Sequence, residues 1–374
     1  MLFNVCALYI KIMNNENQTI HKSDDNLTIY GWNEKLNQLK QESIYSALAH
    51  GRVSIVHRTC YEVISGNGLF QCELTGNMMY GKSDDELPCT GDWVIFQPFD
   101  EHKGIIVDSL PRERTLYRKK SGTVADKQAI ASYVDKAFIV QSLDDNFNVR
   151  RVERFMVQIM EENISSVLVL NKADLDFDRQ SVEEQIKHIS SQIPVFFTSI
   201  HQPETIVRLR KSISEGETVV FVGSSGVGKS SLVNALCEKP VLLTSDISLS
   251  TGKGRHTSTR REMVLMDSSG VLIDTPGVRE FGLAIDNPDS LAEVLEISDY
   301  AELCRFKDCK HINEPGCAVI EAVNSGALDS KVYASYLKLR REAWHFSASE
   351  HEKRKKEKSF TKLVEEVKNR KANR

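Results

Sequence analysis

The segment GSSGVGKSS, residues 223–231, is the feature that most constrains how this chain can fold. It follows the apolar run TVVFV and precedes SSLVNALC, whose apolar residues recur at helical spacing. A glycine-rich turn between a strand and a helix fits the GxxxxGKS/T phosphate loop, in which backbone N–H groups and a helix N-terminus hold phosphate oxygens. The alternative is a Gly/Ser turn that contains a lysine by chance, and the flanking strand and helix disfavour it. The predicted phosphate-binding residues are Gly223, Ser224, Ser225, Gly226, Val227, Gly228, Lys229, Ser230 and Ser231.

Within this loop, two side chains have separate predicted roles. Lys229 would reach the β- and γ-phosphates of a bound nucleotide, and the Ser230 hydroxyl would ligate Mg²⁺. A phosphate loop alone does not distinguish ATP from GTP, so the base must be inferred from another motif.

The motif NKAD, residues 171–174, indicates which base is bound. It ends the apolar strand SSVLVL, where the Asp174 carboxylate can accept the N1–H and exocyclic amino hydrogens of guanine. Adenine lacks that donor pair and would leave a buried acceptor unpaired, at a cost of about 1 to 3 kcal/mol. Asn171 and Lys172 would brace the loop and cover the base. Alone the motif could be a helix cap, but beside a phosphate loop it predicts GTP.

Two further segments complete the predicted nucleotide site. Ser199, in FTSI after an apolar strand, is a candidate for a backbone contact to guanine O6. In DTPG, residues 274–277, Asp274 can hold Mg²⁺ through water and the Gly277 N–H can sense a γ-phosphate. Ordinary GTPases carry the phosphate loop first, DxxG second and NKxD last, whereas here NKAD comes first. We therefore predict a circularly permuted domain, which compact folds with neighbouring termini tolerate.

Pattern changes along the chain predict three folded parts. Short alternating runs separated by turn signals predict about five strands and an OB-fold barrel, with an SH3-like barrel as the alternative. Alternating strands and helices then predict a parallel α/β sheet. The predicted fold class is multidomain: an N-terminal β-barrel, a central α/β P-loop GTPase domain with permuted motif order, and a mostly helical zinc-binding C-terminal domain. The predicted divisions are an N-terminal extension (1–45) with a short helix in WNEKLNQLKQESIYSALAH, the barrel (46–112), the GTPase domain (113–285), the zinc domain (286–349) and a basic tail (350–374).

A cluster of cysteines with a histidine predicts a metal site. The segment CRFKDCKHINEPGC offers three thiolates and one imidazole, a set suited to tetrahedral Zn²⁺. Four protein ligands leave no open position, so one structural zinc is expected. The alternative is a chance grouping of core cysteines beside a surface histidine. The predicted ligands are Cys304, Cys309, His311 and Cys317.

Composition limits the remaining classes of protein. Hydrophobic residues are 41% and charged residues 27%, as in ordinary globular chains. We read no signal peptide and no run of 18 or more apolar residues, and the other cysteines are scattered, so a cytoplasmic protein with no membrane contact is expected. The net charge is −4, but the tail carries ten Lys/Arg against five Asp/Glu and could attract polyphosphate.

The motif order, with a barrel before it and a Cys/His cluster after it, resembles the ribosome small-subunit-dependent GTPase A family. The resemblance spans about residues 50 to 350, although YVD departs from the usual Asn-Val-Asp and the first 45 residues have no match. It implies hydrolysis of GTP to GDP and phosphate, and rRNA and small (30S) subunit binding during late maturation. It also implies that the subunit stimulates hydrolysis, that hydrolysis is coupled to release, and that barrel and tail contact RNA. A monomer is expected. The segments that carry the resemblance are DWV, YVDKAFIV, RVERF, NKADL, GSSGVGKSSLVN, GRHTST, DTPGVREFG and C-x4-C-x-H-x5-C.

The predicted catalytic residue lies in TGKGRHTST, residues 251–259. Many GTPases orient water with a Gln just after DxxG, but here that position is Val278, which cannot hydrogen-bond water. His256 is therefore the candidate, since an imidazole can orient water or accept its proton, and the resemblance assigns the matching histidine this role. The alternative is that His256 only contacts phosphate or a partner. The resemblance also places a Mg²⁺ ligand in the threonine run, at Thr257 or at Thr259.

Two other functions are compatible with parts of this pattern. A nucleotide-controlled switch that binds proteins without touching RNA would use the same nucleotide motifs. An ATP-using P-loop enzyme is disfavoured by NKAD.

Overall fold

The structure, a computed structural model, describes residues 25–83, 85–119, 127–238, 262–267, 270–274 and 288–347. Three predicted site residues, His256, Thr257 and Gly277, lie outside these ranges. The predicted basic tail, 350–374, and residues 1–24 of the predicted extension also lie outside them.

The first strands close into a five-stranded barrel. The elements up to its end are α1 (Asp25–Thr28), α2 (Glu34–Glu42), β1 (Ala49–Val56), β2 (Tyr61–Ser65), β3 (Gly68–Leu74), α3 (Gly76–Gly81), β4 (Trp93–Asp100) and β5 (Lys103–Ser109). Alternation along each strand places one set of side chains inside, as in β3, where Cys72 is fully buried and Leu69 is exposed. The strands pair in the order β1, β2, β3, β5, β4, and β4 returns to β1. This closed barrel confirms the predicted N-terminal part of the fold.

A mostly parallel sheet with helices on both faces follows the barrel. Its elements are β6 (Leu116–Lys119), β7 (Lys127–Ala131), β8 (Lys136–Ser142), α4 (Val149–Glu161), β9 (Ser165–Asn171), α5 (Arg179–Gln185), α6 (Lys187–Ser190), β10 (Val195–Thr198), α7 (Pro203–Arg210), β11 (Thr218–Val222), α8 (Lys229–Leu236), β12 (Glu262–Leu265) and β13 (Val271–Asp274). The parallel strands run in the order β10, β9, β8, β11, β13. The apolar runs of β8, β9, β11 and β13 are buried on both faces, as is usual for parallel strands, whereas the apolar residues of β10 at the edge are half-buried. All carboxyl ends therefore lie along one edge, where ligands of such sheets bind.

The barrel and the parallel sheet form one continuous 11-stranded sheet. Strand β12 runs antiparallel to β13, pairing Glu262 with Asp274, and the same Glu262 pairs with Ile55 of β1. The barrel is therefore paired directly with β12, the strand that begins at the edge where the predicted nucleotide site lies.

The C-terminal part is helical, as predicted. It contains α9 (Pro288–Val294), α10 (Ser298–Ala301), α11 (Ala318–Ser325) and α12 (Ser330–Ser347). Leu291 and Leu339 share a hydrophobic core with Val152 of α4, so these helices pack on one face of the parallel sheet. Arg154 of α4 also pairs with Glu342 of α12 at 2.6 Å. None of the helices in the described ranges has the length and apolar character needed to cross a bilayer.

Several local predictions were incomplete. The short helix predicted in WNEKLNQLKQESIYSALAH is Glu34–Glu42, and the end of that stretch, Ala49 and His50, instead pairs with β4. The helix predicted in VEEQIKHISSQ is divided into α5 and α6. The antiparallel pair of β6 and β7 and the strand β12 were not predicted.

Candidate nucleotide site and metal centre

The predicted phosphate loop joins β11 to α8 at the ligand-binding edge of the sheet. Residues Gly223–Gly228 form the turn, and α8 begins at Lys229. The Lys229 ammonium donates to the carbonyl oxygens of Gly223 and Ser224, both at 2.8 Å. The lysine thus closes the loop on itself, with its charge held where phosphates would lie.

Two glycines of the loop are required by close approaches. A Cβ at Gly223, which has φ +151°, would lie 2.4 Å from the carbonyl oxygen of Val140. A Cβ at Gly228, with φ +94°, would lie 2.3 Å from Nδ2 of Asn171. Both positions combine positive φ with a backbone or amide neighbour, so any side chain there would distort the loop.

The NKAD loop and the phosphate loop meet directly. Asn171 ends β9 and is buried, and its Nδ2 donates to the carbonyl oxygen of Val227 at 2.9 Å. Its Oδ1 accepts from the Thr198 hydroxyl at 3.2 Å. One asparagine therefore ties the NKAD loop, the predicted phosphate loop and β10 together. The hydrogen bond between Asn171 and Val227 thus brings together two loops that lie more than 50 positions apart in the sequence.

Lys172 is held by an ion pair. Its Nζ lies 2.8 Å from Oδ2 of Asp144, which follows β8. Burial alone would raise the pKa of Asp144, but hydrogen bonds from Lys172 and Ser142 outweigh it and lower that pKa to about 2. The pair fixes the aliphatic stem of Lys172 at the edge where a base would lie.

The Asp144 pair predicts a pH dependence of stability. Because the pKa of Asp144 is about 2 in the folded chain and about 3.9 when unfolded, the stabilisation is complete above about pH 4 and is lost as the pH falls towards 2. In urea unfolding, Asp144→Asn should be less stable than wild type at pH 6, and the difference should shrink at about pH 3. The exposed neighbour gives a control, since Asp145→Asn should show no such trend. A difference independent of pH would contradict this assignment.

Asp174 lies at the surface, and one of its two carboxylate oxygens accepts a hydrogen bond. The Ser199 hydroxyl donates to Oδ1 of Asp174, and this hydrogen bond is the main cause that lowers the pKa of Asp174. The Asp174 side chain is exposed, so it can face a ligand. An ionised carboxylate at this place can accept two hydrogen bonds from a base edge.

Ser199 contributes through its side chain in this structure. Its backbone N–H donates to the Thr205 hydroxyl at 3.0 Å, and its Oγ accepts from the His201 N–H at 3.0 Å. To make the predicted contact to guanine O6, the Ser199 N–H would have to give up its hydrogen bond to the Thr205 hydroxyl. The hydroxyl, by contrast, already orients Asp174.

Asp274 ends β13 beside the phosphate-loop strand. It is buried and in register with Phe221 of β11 and with Glu262 of β12. This position lies at the same sheet edge as the phosphate loop. It suits the predicted role of a carboxylate that holds Mg²⁺ through water.

The four predicted metal ligands lie together between α10 and α11. Their ligand atoms all lie within 4.8 Å of one another. Cys304 Sγ is 3.8 Å from Cys317 Sγ, and His311 Nδ1 is 3.5 Å and 3.4 Å from these two sulfurs. Tetrahedral zinc with bonds of about 2.3 Å to sulfur and about 2.0 Å to nitrogen requires edges of about 3.8 Å and about 3.5 Å. The donor set therefore fits such an ion.

The surroundings act in opposite directions on two ligands of this cluster. Burial, and then the charge of Arg340, lower the pKa of His311, which favours the neutral imidazole that ligates metals. Burial raises the pKa of the Cys317 thiol to about 12, so a metal must displace that proton. The Tyr333 hydroxyl donates to the His311 carbonyl at 2.7 Å and holds the ligand loop on α12.

Some residues that shape the site were not identified from the sequence. Asp144 and Thr205 act on site residues that are 28 and 6 positions away. Thr198 and Tyr333 likewise support Asn171 and His311. Only the position of Asp144 just after an apolar strand offered a signal, because ligand sites gather at such strand ends.

Two family models match this chain. The RsgA GTPase model matches residues 109–284, which contain NKAD, the phosphate loop and DTPG. The ABC transporter model matches residues 206–368, which contain the phosphate loop but not NKAD. A phosphate loop alone does not identify the base, whereas the first match covers all three motifs.

Curated relatives and solved structures agree with the first match. The small ribosomal subunit biogenesis GTPase RsgA 1 of Bacteroides thetaiotaomicron is 76% identical over 361 residues, 96% of this chain and 100% of the relative. The RsgA of Methanosarcina acetivorans is 38% identical over 338 residues, 87% of this chain and 89% of the relative.

Similar architecture is found in two solved structures. YjeQ of Thermotoga maritima is 26% identical with a TM-score of 0.61, over 79% of this chain and 98% of that one. YloQ, a circularly permuted GTPase, is 21% identical with a TM-score of 0.60, over 82% and 99%. The predicted permuted fold is thereby confirmed.

Proposed function

Because this chain is a GTPase that belongs to the RsgA GTPase family, we propose that it hydrolyses GTP to GDP and phosphate in late maturation of the small (30S) ribosomal subunit. The subunit stimulates hydrolysis, and hydrolysis is coupled to release. The relatives' name, small ribosomal subunit biogenesis GTPase, supports the partner. The observation that carries the nucleotide assignment is the hydrogen bond from Asn171 to Val227, which joins the base-reading and phosphate loops.

In the proposed complex each loop holds one end of GTP. Asp174 accepts hydrogen bonds from guanine, Asn171 and Lys172 brace and cover the base, and Ser199 orients Asp174. The loop from Gly223 to Ser231 wraps the phosphates, and Lys229 leaves its loop carbonyls to meet them. Mg²⁺, when bound, would neutralise phosphate charge, and the residues that would hold it are Ser230, Thr257 and, through water, Asp274.

Hydrolysis is assigned to His256, with Gly277 sensing the γ-phosphate. Val278 cannot orient water, so an imidazole from the segment before β12 takes that role. Strand β12, which follows this segment in the chain, pairs with β13 and with the barrel, and its first residue, Glu262, is in register with Asp274.

RNA contact is proposed at the surface around the Cys/His cluster, where the exposed Glu302 and Asp308 offset part of the basic charge. Arg305, Lys307 and Lys310 are exposed there, Phe306 is 42% exposed, and the Arg305 guanidinium lies 5.5 Å from its ring centre. Basic and aromatic side chains together suit phosphates and unstacked bases. The basic tail would add to this charge.

The barrel is less suited to phosphate. Residues 46–112 carry five Lys/Arg against nine Asp/Glu. Of these five, Arg52 is buried and Arg112 forms an ion pair with Asp92, so neither guanidinium is available to a phosphate. If the barrel touches rRNA, it must do so without a net positive charge. This observation favours the second candidate function, a nucleotide-controlled switch that binds protein without RNA contact.

Cosedimentation with purified small subunits at increasing salt separates these two functions. RNA contacts release counterions, so binding should weaken steeply, by about 10³-fold or more between 50 and 200 mM salt if six or more phosphates are contacted. Binding that is nearly insensitive to salt would support the protein-only switch.

We propose that the protein acts in the cytoplasm as a monomer, with GTP, GDP and the small ribosomal subunit as its partners.

We propose one structural Zn²⁺ per chain, bound by Cys304, Cys309, His311 and Cys317. Because the ligand segment is too short to bury a core, Cys309→Ser is expected to lose the zinc and to expose residues 303–317 to hydrogen exchange. The control is Cys60→Ser in the barrel, which should keep one zinc. Atomic emission measures the metal, and full zinc in Cys309→Ser would contradict the assignment.

A further inference from the structure

A buried arginine lies where the barrel meets the nucleotide sheet. Arg52 belongs to β1 and is only 1% exposed. Its Nε donates to the Gly91 carbonyl at 3.0 Å, and its Nη1 donates to the Thr218 hydroxyl at 2.9 Å. Nη1 also donates to the Tyr30 carbonyl, and Nη2 to the Tyr133 carbonyl at 3.4 Å. One side chain thus contacts four segments of the chain.

The guanidinium keeps its charge in this place. Burial lowers the pKa of Arg52 to about 10, while the charges of Asp135 and Asp92 oppose that shift. Arg52 is therefore protonated at neutral pH. Burying a charged group costs free energy because the group loses its hydration. The best-attested benefit of such groups is that they specify one arrangement of the segments around them.

Thr218 is the first residue of β11, the strand that runs into the phosphate loop. Its backbone is fixed separately, since its N–H donates to Asp135 Oδ2 at 2.8 Å and its carbonyl accepts from the Asp135 N–H at 2.9 Å. The hydroxyl is the part of Thr218 that binds Arg52. Removing the hydroxyl would therefore remove the bond between Arg52 and β11 and leave the strand in place.

Strand β1 is attached to the nucleotide sheet at two separate points. Ile55 pairs with Glu262 of β12, which in turn pairs with Asp274, and Arg52 reaches the start of β11. The pairing with β12 lies at the ligand edge, whereas Thr218 lies at the opposite end of its strand. These two attachments of β1, with the bridge between Thr90 and Ala131, fix the orientation of the barrel.

We propose that Arg52 is a positioning residue that, through Thr218, locks the barrel to the strand entering the phosphate loop, so that barrel orientation and nucleotide state change together. The inference rests on the proposed function, because the contact between Arg52 and Thr218 would let a small subunit bound to the barrel affect the nucleotide site. Coupling of this kind is reciprocal, so nucleotide exchange must also be felt at the barrel.

The test uses a matched pair of variants at one position. Thr218→Val keeps the shape of the side chain and removes the hydroxyl, whereas Thr218→Ser keeps the hydroxyl. Arg52 retains its other acceptors in both, so the junction stays assembled. The chain has three tryptophans, and Trp32 and Trp93 lie at this junction with ring centres 4.9 Å apart. A Trp344→Phe background makes tryptophan emission report the junction alone.

The first measurement needs no ribosome. Exchange of GDP for a non-hydrolysable GTP analogue should change junction emission in the Trp344→Phe protein and in its Thr218→Ser version. The change should be lost in Thr218→Val. An unchanged emission in the parent protein, or an equal change in the Val variant, would overturn the proposal.

The second measurement is turnover with small subunits. Thr218→Val should lower stimulated turnover by about tenfold, with basal turnover and GDP affinity within about twofold of wild type, and Thr218→Ser should restore stimulation. Stimulation that is equal in Val and wild type would count against the proposal. If subunits fail to stimulate wild type, the proposed function fails, and the emission measurement still decides the role of Arg52.

Discussion

Replacing Asp174 with Asn is expected to change the base preference of this protein from guanine to xanthine. The carboxylate accepts two donors of guanine, whereas an amide offers one acceptor and one donor. Xanthine carries a carbonyl where guanine has its amino group, so it matches the amide. The Ser199 hydroxyl can still donate to the Asn oxygen, which keeps the loop in place.

The expected effect is large because a mismatched polar pair leaves buried groups without partners. GDP affinity should fall about 100-fold or more, and XDP affinity should rise, as calorimetry with both nucleotides would measure. Asp176→Asn, an exposed neighbour on the same loop, is the control and should bind GDP as wild type does. Unchanged GDP affinity in Asp174→Asn would show that the base lies elsewhere.

His256→Ala should reduce subunit-stimulated GTP turnover by about 100-fold or more and leave GTP affinity within a few-fold. The reason is that general acid–base groups supply about 10²- to 10⁴-fold of rate, while phosphate binding depends on other residues. Single-turnover hydrolysis with saturating small subunits is the measurement.

Ser258→Ala provides the matched control for that experiment, since it removes a polar side chain from the same segment without removing an imidazole. It should hydrolyse GTP at close to the wild-type rate. If His256→Ala and wild type turn over equally, the catalytic assignment is wrong.

Local sequence signals were sufficient for the phosphate loop and the metal ligands. Close contacts leave no room for a side chain at Gly223 or at Gly228. The loop therefore needs glycine at these fixed positions, and that spacing is visible in the sequence. The four metal ligands are close in sequence, so their spacing already implied closeness in space. The barrel strands were also predictable, because a half-buried strand alternates visibly.

Contacts between distant residues were not predictable in the same way. The run RVSIVHR predicts a strand, but nothing in it shows that Arg52 is buried and reaches Thr218. Strand β12 has only four residues and is defined by its partners on both sides, Asp274 and Ile55. The start of β1 could not be placed from the sequence for the same reason, since pairing with β4 decides where β1 begins.

The structure also changes how the barrel is interpreted. The family resemblance implied that the barrel contacts RNA, but the acidic excess of residues 46–112 opposes attraction to phosphate. Its pairing with β12 and the contact from Arg52 instead connect it to the nucleotide strands. Fold and charge must therefore be considered together before RNA contact is assigned.

GTP turnover measured with and without purified small ribosomal subunits tests the central claim most directly. Magnesium and salt are held constant, and large subunits and ATP serve as controls. The account predicts slow turnover by the protein alone, an increase of about tenfold or more with small subunits, and neither effect with large subunits or ATP. Turnover that is the same with and without small subunits would contradict it.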